Sequence, residues 1–379
     1  MADADSPSPS KDDRRYLERA LRLALRGRYR TAPNPRVGAV LVRDGEVVGE
    51  GWHRAAGGPH AEAEALARAG ERARGATLYV TLEPCAHFGR TPPCADAVIA
   101  AGISRAVACV GDPNPAVAGQ GFARLRAAGT AVEVGTLAEE SIRANLAFFV
   151  PLVLGRPAVT LKWAMSLDGR IATRTGESQW ISAPAARRWG LALREEHDAI
   201  LAGIGTVLAD DPRLDRRLGL ANGPNLRVIL DRRLRTPPAA RLFEAPGPVA
   251  IFTESAAASP RAALEAAGAE VVRLPVVEPH AVLAALLARG VKSLLVEGGG
   301  GVHASFVAAG TYDEVRVDTA PLLIGGLKAP GPLGGEGFER LAEAPRLERL
   351  EIARRGGDAI LSGLRVGCLE ELLRATPAG

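Results

Sequence analysis

The chain has 379 residues, 47% of them hydrophobic and 24% charged, with a formal net charge of +4. That length suggests two or three domains, and the composition supplies enough apolar matter for real cores, excluding a disordered or collagenous chain. The basic charge is spread without a block resembling a nucleic-acid arm, aromatic residues are only 4%, and no apolar run approaches the ~20 residues of a membrane span, so neither nucleic acid nor membrane is expected as a partner.

In chain order, residues 1–10 are small, polar and acidic, without the apolar core of a secretory signal, and read as a disordered tail. With this tail set at 1–12, a first domain is expected over 13–152 and a second over 153–379. Leu17, Ala20, Leu21, Ala24 and Leu25 recur at helical spacing and predict a helix over Tyr16–Arg28, with Asp12 and Asp13 ahead of it as capping acids. Val37–Val42 and Val47–Trp52 form a hairpin around Asp44-Gly45. Pro33-Asn34-Pro35 before it is too rigid for helix and suits a pocket wall. Pro59 opens a helix to about Arg72, as proline favours a helix start. Strand Ala76–Leu82 follows, then helix Cys94–Ala101, strand Ala106–Val110, helix Phe122–Ala128, strand Val132–Val134 and helix Glu139–Phe149. Such alternation predicts a mostly parallel sheet with helices on its faces.

The pattern restarts near Val150–Pro157. Strands are expected at Ala158–Trp163, Ala199–Gly203, Leu226–Asp231, Val249–Phe252, Glu270–Leu274, Ser293–Glu297 and Val315–Val317. Helices are expected at Ala185–Glu196, Pro260–Ala267, Pro279–Ala288 and His303–Ala309. The segment Leu347–Val366 supplies late strands. Gly298–Gly301 between strand and helix would let backbone N–H groups approach a phosphate at a helix N-terminus. No internal repeat relates the two halves, so the second is a separate fold.

Four cysteines do not make a disulfide framework, and a reducing cytoplasm is expected. Cys109 falls in an apolar run and reads as a core thiol; Cys368 has no evident partner. His60, Cys85 and Cys94 are three donors of the kind zinc prefers, which leaves a fourth position for water. Cys85 and Cys94 would each begin a helix, where the macrodipole favours a thiolate. Glu62, two residues after His60, is placed to move the water proton. The order His-x-Glu, then Pro-Cys and a second Cys, is that of zinc-dependent deaminases. His87 is the one rival for a fourth ligand; a closed four-ligand knot would leave Glu62 unexplained. His53 reads as a hairpin-end residue. Eight residues separate the two cysteines, against two in deaminases of nucleic acid. Arg90 in that longer loop suits a phosphate, pointing to a phosphorylated small molecule. Only four lysines stand against 43 arginines, which singles out Lys162, in a motif-like stretch, for a specific role.

The motifs Pro33–Gly38, His60-Ala61-Glu62, Thr81–Cys94 and Asp112–Pro115 together resemble the bacterial bifunctional deaminase–reductases of riboflavin biosynthesis. Lys162–Arg170, Gly176–Ile181, Thr206–Pro212 and Glu297–Gly299 extend the resemblance over nearly the whole chain. It implies an α/β protein: a cytidine-deaminase-like three-layer domain followed by a dihydrofolate-reductase-like α/β domain. The implied reactions are hydrolytic deamination of 2,5-diamino-6-ribosylamino-4(3H)-pyrimidinone 5′-phosphate at one zinc ion, then NADPH-dependent reduction of the ribosyl group to ribityl. By motif, His60, Cys85 and Cys94 hold the zinc and Glu62 handles the proton. Asn34, Arg90 and Asn114 fall to the deaminase substrate. Lys162, Ser178, Arg194, Leu214, Arg217 and Glu297 fall to the reductase substrate, Ser178 and Arg194 suiting its phosphate. Ala164, Trp180, Thr206, Asp210, Gly299, Gly300 and Gly301 fall to NADPH, and Arg232 lies near a further cofactor position. Asp215, after Leu214, and His303 depart from the family pattern, and an acid at 215 would disfavour a nearby phosphate. A homo-oligomer is expected.

Overall fold

The computed structural model describes residues 10–87, 92–115 and 117–377. By their contacts, residues 10–154 with 369–377 form one unit and 155–368 another. The first unit runs α1 (Lys11–Ala24), β1 (Gly38–Arg43), β2 (Glu46–Trp52), α2 (Ala61–Ala69), β3 (Thr77–Val80), α3 (Cys94–Ala100), β4 (Arg105–Ala108), α4 (Gln120–Ala127), β5 (Ala131–Val134), α5 (Ala138–Ala144) and α6 (Leu146–Leu154). Its sheet has the order β2-β1-β3-β4-β5; β1 is antiparallel to β2 and β3, and the remaining pairs are parallel. Alternate strand residues point to opposite faces. Leu41, Leu78 and Ala106 therefore meet Ala65, Val98 and Phe122 of α2, α3 and α4, while Val40, Tyr79 and Val107 meet Leu17 and Ala20 of α1. Three layers result.

The second unit runs β6 (Ala158–Ser166), α7 (Pro184–Glu196), β7 (Ala199–Gly203), α8 (Ile204–Asp210), β8 (Leu226–Leu230), β9 (Val249–Thr253), α9 (Ala258–Ala266), β10 (Ala269–Arg273), α10 (Pro279–Leu287), β11 (Ser293–Val296), α11 (Gly300–Ala308), β12 (Glu314–Ala320), β13 (Leu347–Arg355) and β14 (Asp358–Arg365). Nine strands lie in the order β10-β9-β8-β7-β11-β6-β12-β14-β13. All neighbours are parallel except the closing β12–β14 and β14–β13 pairs. One face packs Leu161, Val228 and Ala250 against Leu283 and Phe306 of α10 and α11; the other packs Ile200, Ile229 and Leu295 against Leu193 and Leu264 of α7 and α9. Helix α12 (Cys368–Arg374) follows β14, and from Leu369 onward it groups with the first unit.

Several expected boundaries move, for local reasons. Helix α1 begins at Lys11 rather than Tyr16, because Ser10 caps it: Ser10 Oγ accepts from the Asp13 N–H at 3.1 Å while Asp13 Oδ2 accepts from the Ser10 N–H at 3.0 Å, a reciprocal capping box. The expected tail to residue 12 thus ends inside a helix, and its residues 1–9 lie outside the described residues. The expected helix Glu139–Phe149 is two helices broken at Asn145. Its buried amide bonds both backbone groups of Arg36, accepting at 2.7 Å and donating at 3.0 Å. Cys85 begins no helix; it sits in the loop after β3. Helices α8 and α12 were not expected.

Candidate active sites

Helix α2 starts where the chain leaves the β1–β2 hairpin, with His60 as its N-cap residue and Glu62 in its first turn. The helix lies so close on β2 that a Cβ at Gly51 would come 2.2 Å from the Ala61 carbonyl oxygen; only glycine fits there. His60 Nδ1 is 3.2 Å from Cys94 Sγ and 3.6 Å from Cys85 Sγ. The three donor atoms lie within 4.8 Å of one another. Tetrahedral zinc bonds would place such donors about 3.6 Å apart, so the set fits the ion. His87 is outside this cluster, so three donors and no fourth converge among the described residues. The thiolate at Cys85 is favoured by another route than expected: the backbone N–H of Cys94, at the start of α3, points to Cys85 Sγ at 3.3 Å. Hydrogen bonds from Cys94 and then His60 hold the Cys85 thiol well below its ordinary range, while Cys94, bonded to that thiolate and buried, is pushed up.

These groups open on a cavity of about 470 Å³, also lined by Asn34, His53, His87, Asp112 and Asn114. Glu62 is 3% exposed, and burial pushes its carboxyl up to about 7. His53 is buried and held between two partners: its Nδ1–H donates to the Pro59 carbonyl at 2.9 Å and its Nε2 accepts from the Asn34 amide at 3.2 Å. Burial lowers its pKa, which keeps the ring neutral and suited to both bonds. Glu83 anchors the opposite wall. Its carboxylate accepts from the N–H groups of Asp112, Gly119, Gly121 and Phe122 at 3.1, 3.0, 2.8 and 3.2 Å, tying the Asp112–Asn114 turn to the start of α4. Arg90 lies outside the described residues.

The second unit holds a larger cavity, about 1180 Å³, at the C-terminal ends of its parallel strands. Lys162, Ala164, Ser178, Trp180, Arg194, Thr206, Asp210, Leu214, Arg217, Glu297, Gly299 and Gly301 all line it. Trp180 is 69% exposed, free of the core and stacked under Arg187 at 4.7 Å. Helix α8 carries Thr206 and Asp210, and Asp210 accepts from Ser178 Oγ at 2.9 Å. Gly300 is not in the wall. Its carbonyl accepts from the Gly334 N–H at 2.9 Å, and a Cβ there would meet Gly331 O at 2.8 Å, so it serves close packing of the 331–334 loop. Arg194 is not a free phosphate arm either: its fork is engaged by Glu297, Nε to Oε1 at 2.8 Å and Nη2 to Oε2 at 2.6 Å. Asp215 is buried between Arg213 and Arg217, 3.2 and 2.8 Å from their Nη2 atoms. It holds the arginines in place rather than facing the cavity. His303 is buried between the carbonyls of Val296 and Pro332.

Residues 10–110 match the family model described as the cytidine and deoxycytidylate deaminase zinc-binding region, and residues 157–361 match the RibD C-terminal domain. Riboflavin biosynthesis protein RibD of Bacillus amyloliquefaciens is 44% identical over 353 residues, covering 92% of this chain and 95% of its own. That of Escherichia coli K12 is 43% identical over 370 residues, covering 92% and 98%. The chain belongs to the bacterial RibD family. Among solved RibD structures, that of Acinetobacter baumannii superposes with a TM-score of 0.82 at 38% identity, covering 94% of this chain and 99% of its own. The Thermotoga maritima protein, described as a diaminohydroxyphosphoribosylaminopyrimidine deaminase/5-amino-6-(5-phosphoribosylamino)uracil reductase, superposes at 0.79 and 35% identity, covering 93% and 98%. This RibD-family chain therefore joins a cytidine-deaminase-like zinc domain to a reductase-like α/β domain. Sequence reasoning passed over His53, Glu83 and Asp112 as site-shaping groups. For His53 the available signal was its position directly after the hairpin and ahead of Pro59-His60.

Proposed function

We propose that the chain carries out both reactions of its family: hydrolytic deamination of 2,5-diamino-6-ribosylamino-4(3H)-pyrimidinone 5′-phosphate, then NADPH-dependent reduction of the ribosyl side chain to ribityl. The observation that carries this reading is the convergence of His60, Cys85 and Cys94 beside a buried Glu62, in a chain whose second unit has its own ligand-sized cavity. His60, Cys85 and Cys94 would hold zinc, which when bound supplies the Lewis acidity that makes water a nucleophile near neutral pH. Glu62 takes the proton of the attacking water and returns it to the ring nitrogen and leaving amine, giving a carbonyl and ammonia. Asn34, oriented by His53, and Asn114 are the polar groups that position the pyrimidine.

In the second cavity Ala164, Trp180, Thr206, Asp210, Gly299 and Gly301 would hold NADPH, which when bound supplies the hydride. Support comes from Gly299, the N-cap residue of α11, which takes a φ of +50° and lines the cavity. Lys162, Ser178, Leu214 and Arg217 face the substrate, and the Arg194–Glu297 pair shapes that wall. A homo-oligomer is supported by β13, a nine-residue edge strand on which Leu350 and Ile352 are 64% and 74% exposed. Among the described residues no helix is long and apolar enough to cross a membrane, and thiol zinc ligands suit the reducing cytoplasm. The test is to supply the diaminopyrimidinone phosphate with NADPH and follow ammonia and NADPH absorbance together. Both signals are expected in sequence; ammonia without NADPH oxidation removes the reductase half of the reading.

A further inference from the structure

The reduction requires a proton as well as a hydride, and none of the carboxyl groups assigned above is an available acid in the reductase cavity. Glu297 is ionised by its pairing with Arg194. Asp210 already accepts from Ser178, and Asp211 accepts from the Arg241 N–H. One further carboxyl lines this cavity: Asp318. It lies on β12, in register with Ala164 on β6, so Asp318, Ala164 and Lys162 share a face of the sheet. The side chain is 1% exposed, and its Oδ1 has no hydrogen-bond partner. A buried carboxylate oxygen without a partner is costly, which favours either a bound ligand or a proton at that atom.

We propose that Asp318 is the general acid of the reductase half, donating its proton to the ribose ring oxygen of the deaminated substrate. The inference rests on the reductase reading above. The C1′–O4′ bond breaks, and its electron pair stays on O4′, which takes the Asp318 proton. The exocyclic nitrogen lone pair closes the C1′=N bond of an open-chain iminium. C1′ then receives the hydride that NADPH supplies, and the C=N electron pair returns to nitrogen. One proton and one hydride are consumed, the cofactor is oxidised to NADP+, and Asp318 is left as a carboxylate beside the Lys162 ammonium until solvent reprotonates it. The surroundings favour the protonated form at rest. Burial raises the Asp318 pKa; a hydrogen bond from Ser182 opposes this, the nearby Asp358 carboxyl on β14 adds to it, and Lys162 opposes it. Asp358 is itself fixed, accepting from the Ala183 N–H at 2.7 Å, so the two carboxyls stay facing.

The test uses the full-length zinc-loaded chain and the purified deaminated intermediate. Asp318→Asn should lower the single-turnover rate of NADPH oxidation by about 100-fold, with NADPH affinity and ammonia release both within about 2-fold of wild type. The wild-type rate should fall as pH rises through the Asp318 titration. Asp358→Asn should move that fall to lower pH, because the neighbouring negative charge is gone. Independently of turnover, infrared pH titration of the cofactor-free protein should show a protonated carboxyl band persisting where exposed acids are ionised, smaller by one carboxyl in Asp318→Asn. An Asp318→Asn rate within about 3-fold of wild type, or a loss that tracks weakened NADPH binding, overturns the role. So does an Asp358→Asn profile that stays in place. A wild-type chain that binds NADPH but never oxidises it with this intermediate overturns the reductase reading, and the Asp318 role with it.

Discussion

Arg194 on α7 and Glu297 after β11 meet fork to fork, with Nε–Oε1 at 2.8 Å and Nη2–Oε2 at 2.6 Å. Both side chains are nearly buried, at 12% and 10% exposure. Burial alone would raise the Glu297 carboxyl; the Arg194 charge and its two hydrogen bonds overrule this and bring it from its ordinary 4.5 to about 2. Removing one partner strands a buried charge, at a cost of ~3–5 kcal/mol. Arg194→Ala is therefore expected to lower the unfolding free energy of the second unit by that amount, read as a lower denaturant midpoint at unchanged slope. Arg194→Lys should recover little, since an ammonium cannot reproduce the paired bonds.

The same pair predicts a pH dependence. A carboxyl whose folded pKa lies below its unfolded one binds fewer protons when folded, so its stabilisation is complete above the unfolded pKa. It is lost as pH falls from about 4.5 through about 2. Urea unfolding at pH 5 and pH 3 should show the wild type losing more stability across this interval than Glu297→Gln, which no longer titrates there.

Gly51 sets the distance between β2 and the helix that carries His60 and Glu62. A methyl group there meets the Ala61 carbonyl at 2.2 Å and the Ala65 nitrogen at 2.6 Å, both backbone atoms. Helix α2 must shift to admit it, a strain of ~1–3 kcal/mol. Gly51→Ala is expected to weaken zinc binding by about 10-fold, the lower end for disturbing a ligand's support. Competition with a chromogenic chelator measures it, and NADPH binding is the unaffected control.

Legibility in the sequence follows the distance over which each feature is built. His60-x-Glu62 and Pro84-Cys85 are local patterns whose residue types already imply their chemistry, and the structure brings their donors together. The Arg194–Glu297 pair joins positions 103 apart, and no local pattern could show that the arginine was already engaged. Helix α8 was missed because its seven residues, Ile204–Asp210, are too few to show a helical apolar period after the strand that ends at Gly203. Asp318 was missed for a related reason. An acid after Val315–Val317 looks like the end of a strand, yet β12 continues to Ala320 because β6 and β14 pair with it on both sides.

Glu83 offers a test that separates support from chemistry. Four backbone N–H groups converge on its carboxylate, and each would be left unsatisfied in Glu83→Ala at ~1–3 kcal/mol, less whatever water recovers. The substitution should destabilise the first unit by several kcal/mol and release the Asp112–Asn114 turn. Glu83→Gln keeps one acceptor oxygen and should cost less. Calorimetry of the two variants should rank them in that order.

Zinc removal should divide the two activities, because the metal ligands all lie in the first unit. Chelation is expected to abolish ammonia release while leaving NADPH oxidation unchanged when the deaminated intermediate is supplied. Glu62→Gln makes the complementary case. The amide has nearly the carboxyl's shape, and the three donors stay in place, so zinc content by atomic absorption should match wild type. What is lost is the ability to take a proton from water and return it to nitrogen, a contribution of about 10²–10⁴ in rate. Because burial holds Glu62 near 7 before metal binds, and a dication beside it would favour the carboxylate, zinc loading should release a proton from Glu62 besides those of the thiols. Proton release on zinc binding, measured by calorimetry in buffers of different ionisation enthalpy at pH 6, should accordingly be smaller in Glu62→Gln. Near-normal ammonia release in that variant would remove Glu62 from the proton path altogether, whatever the zinc content.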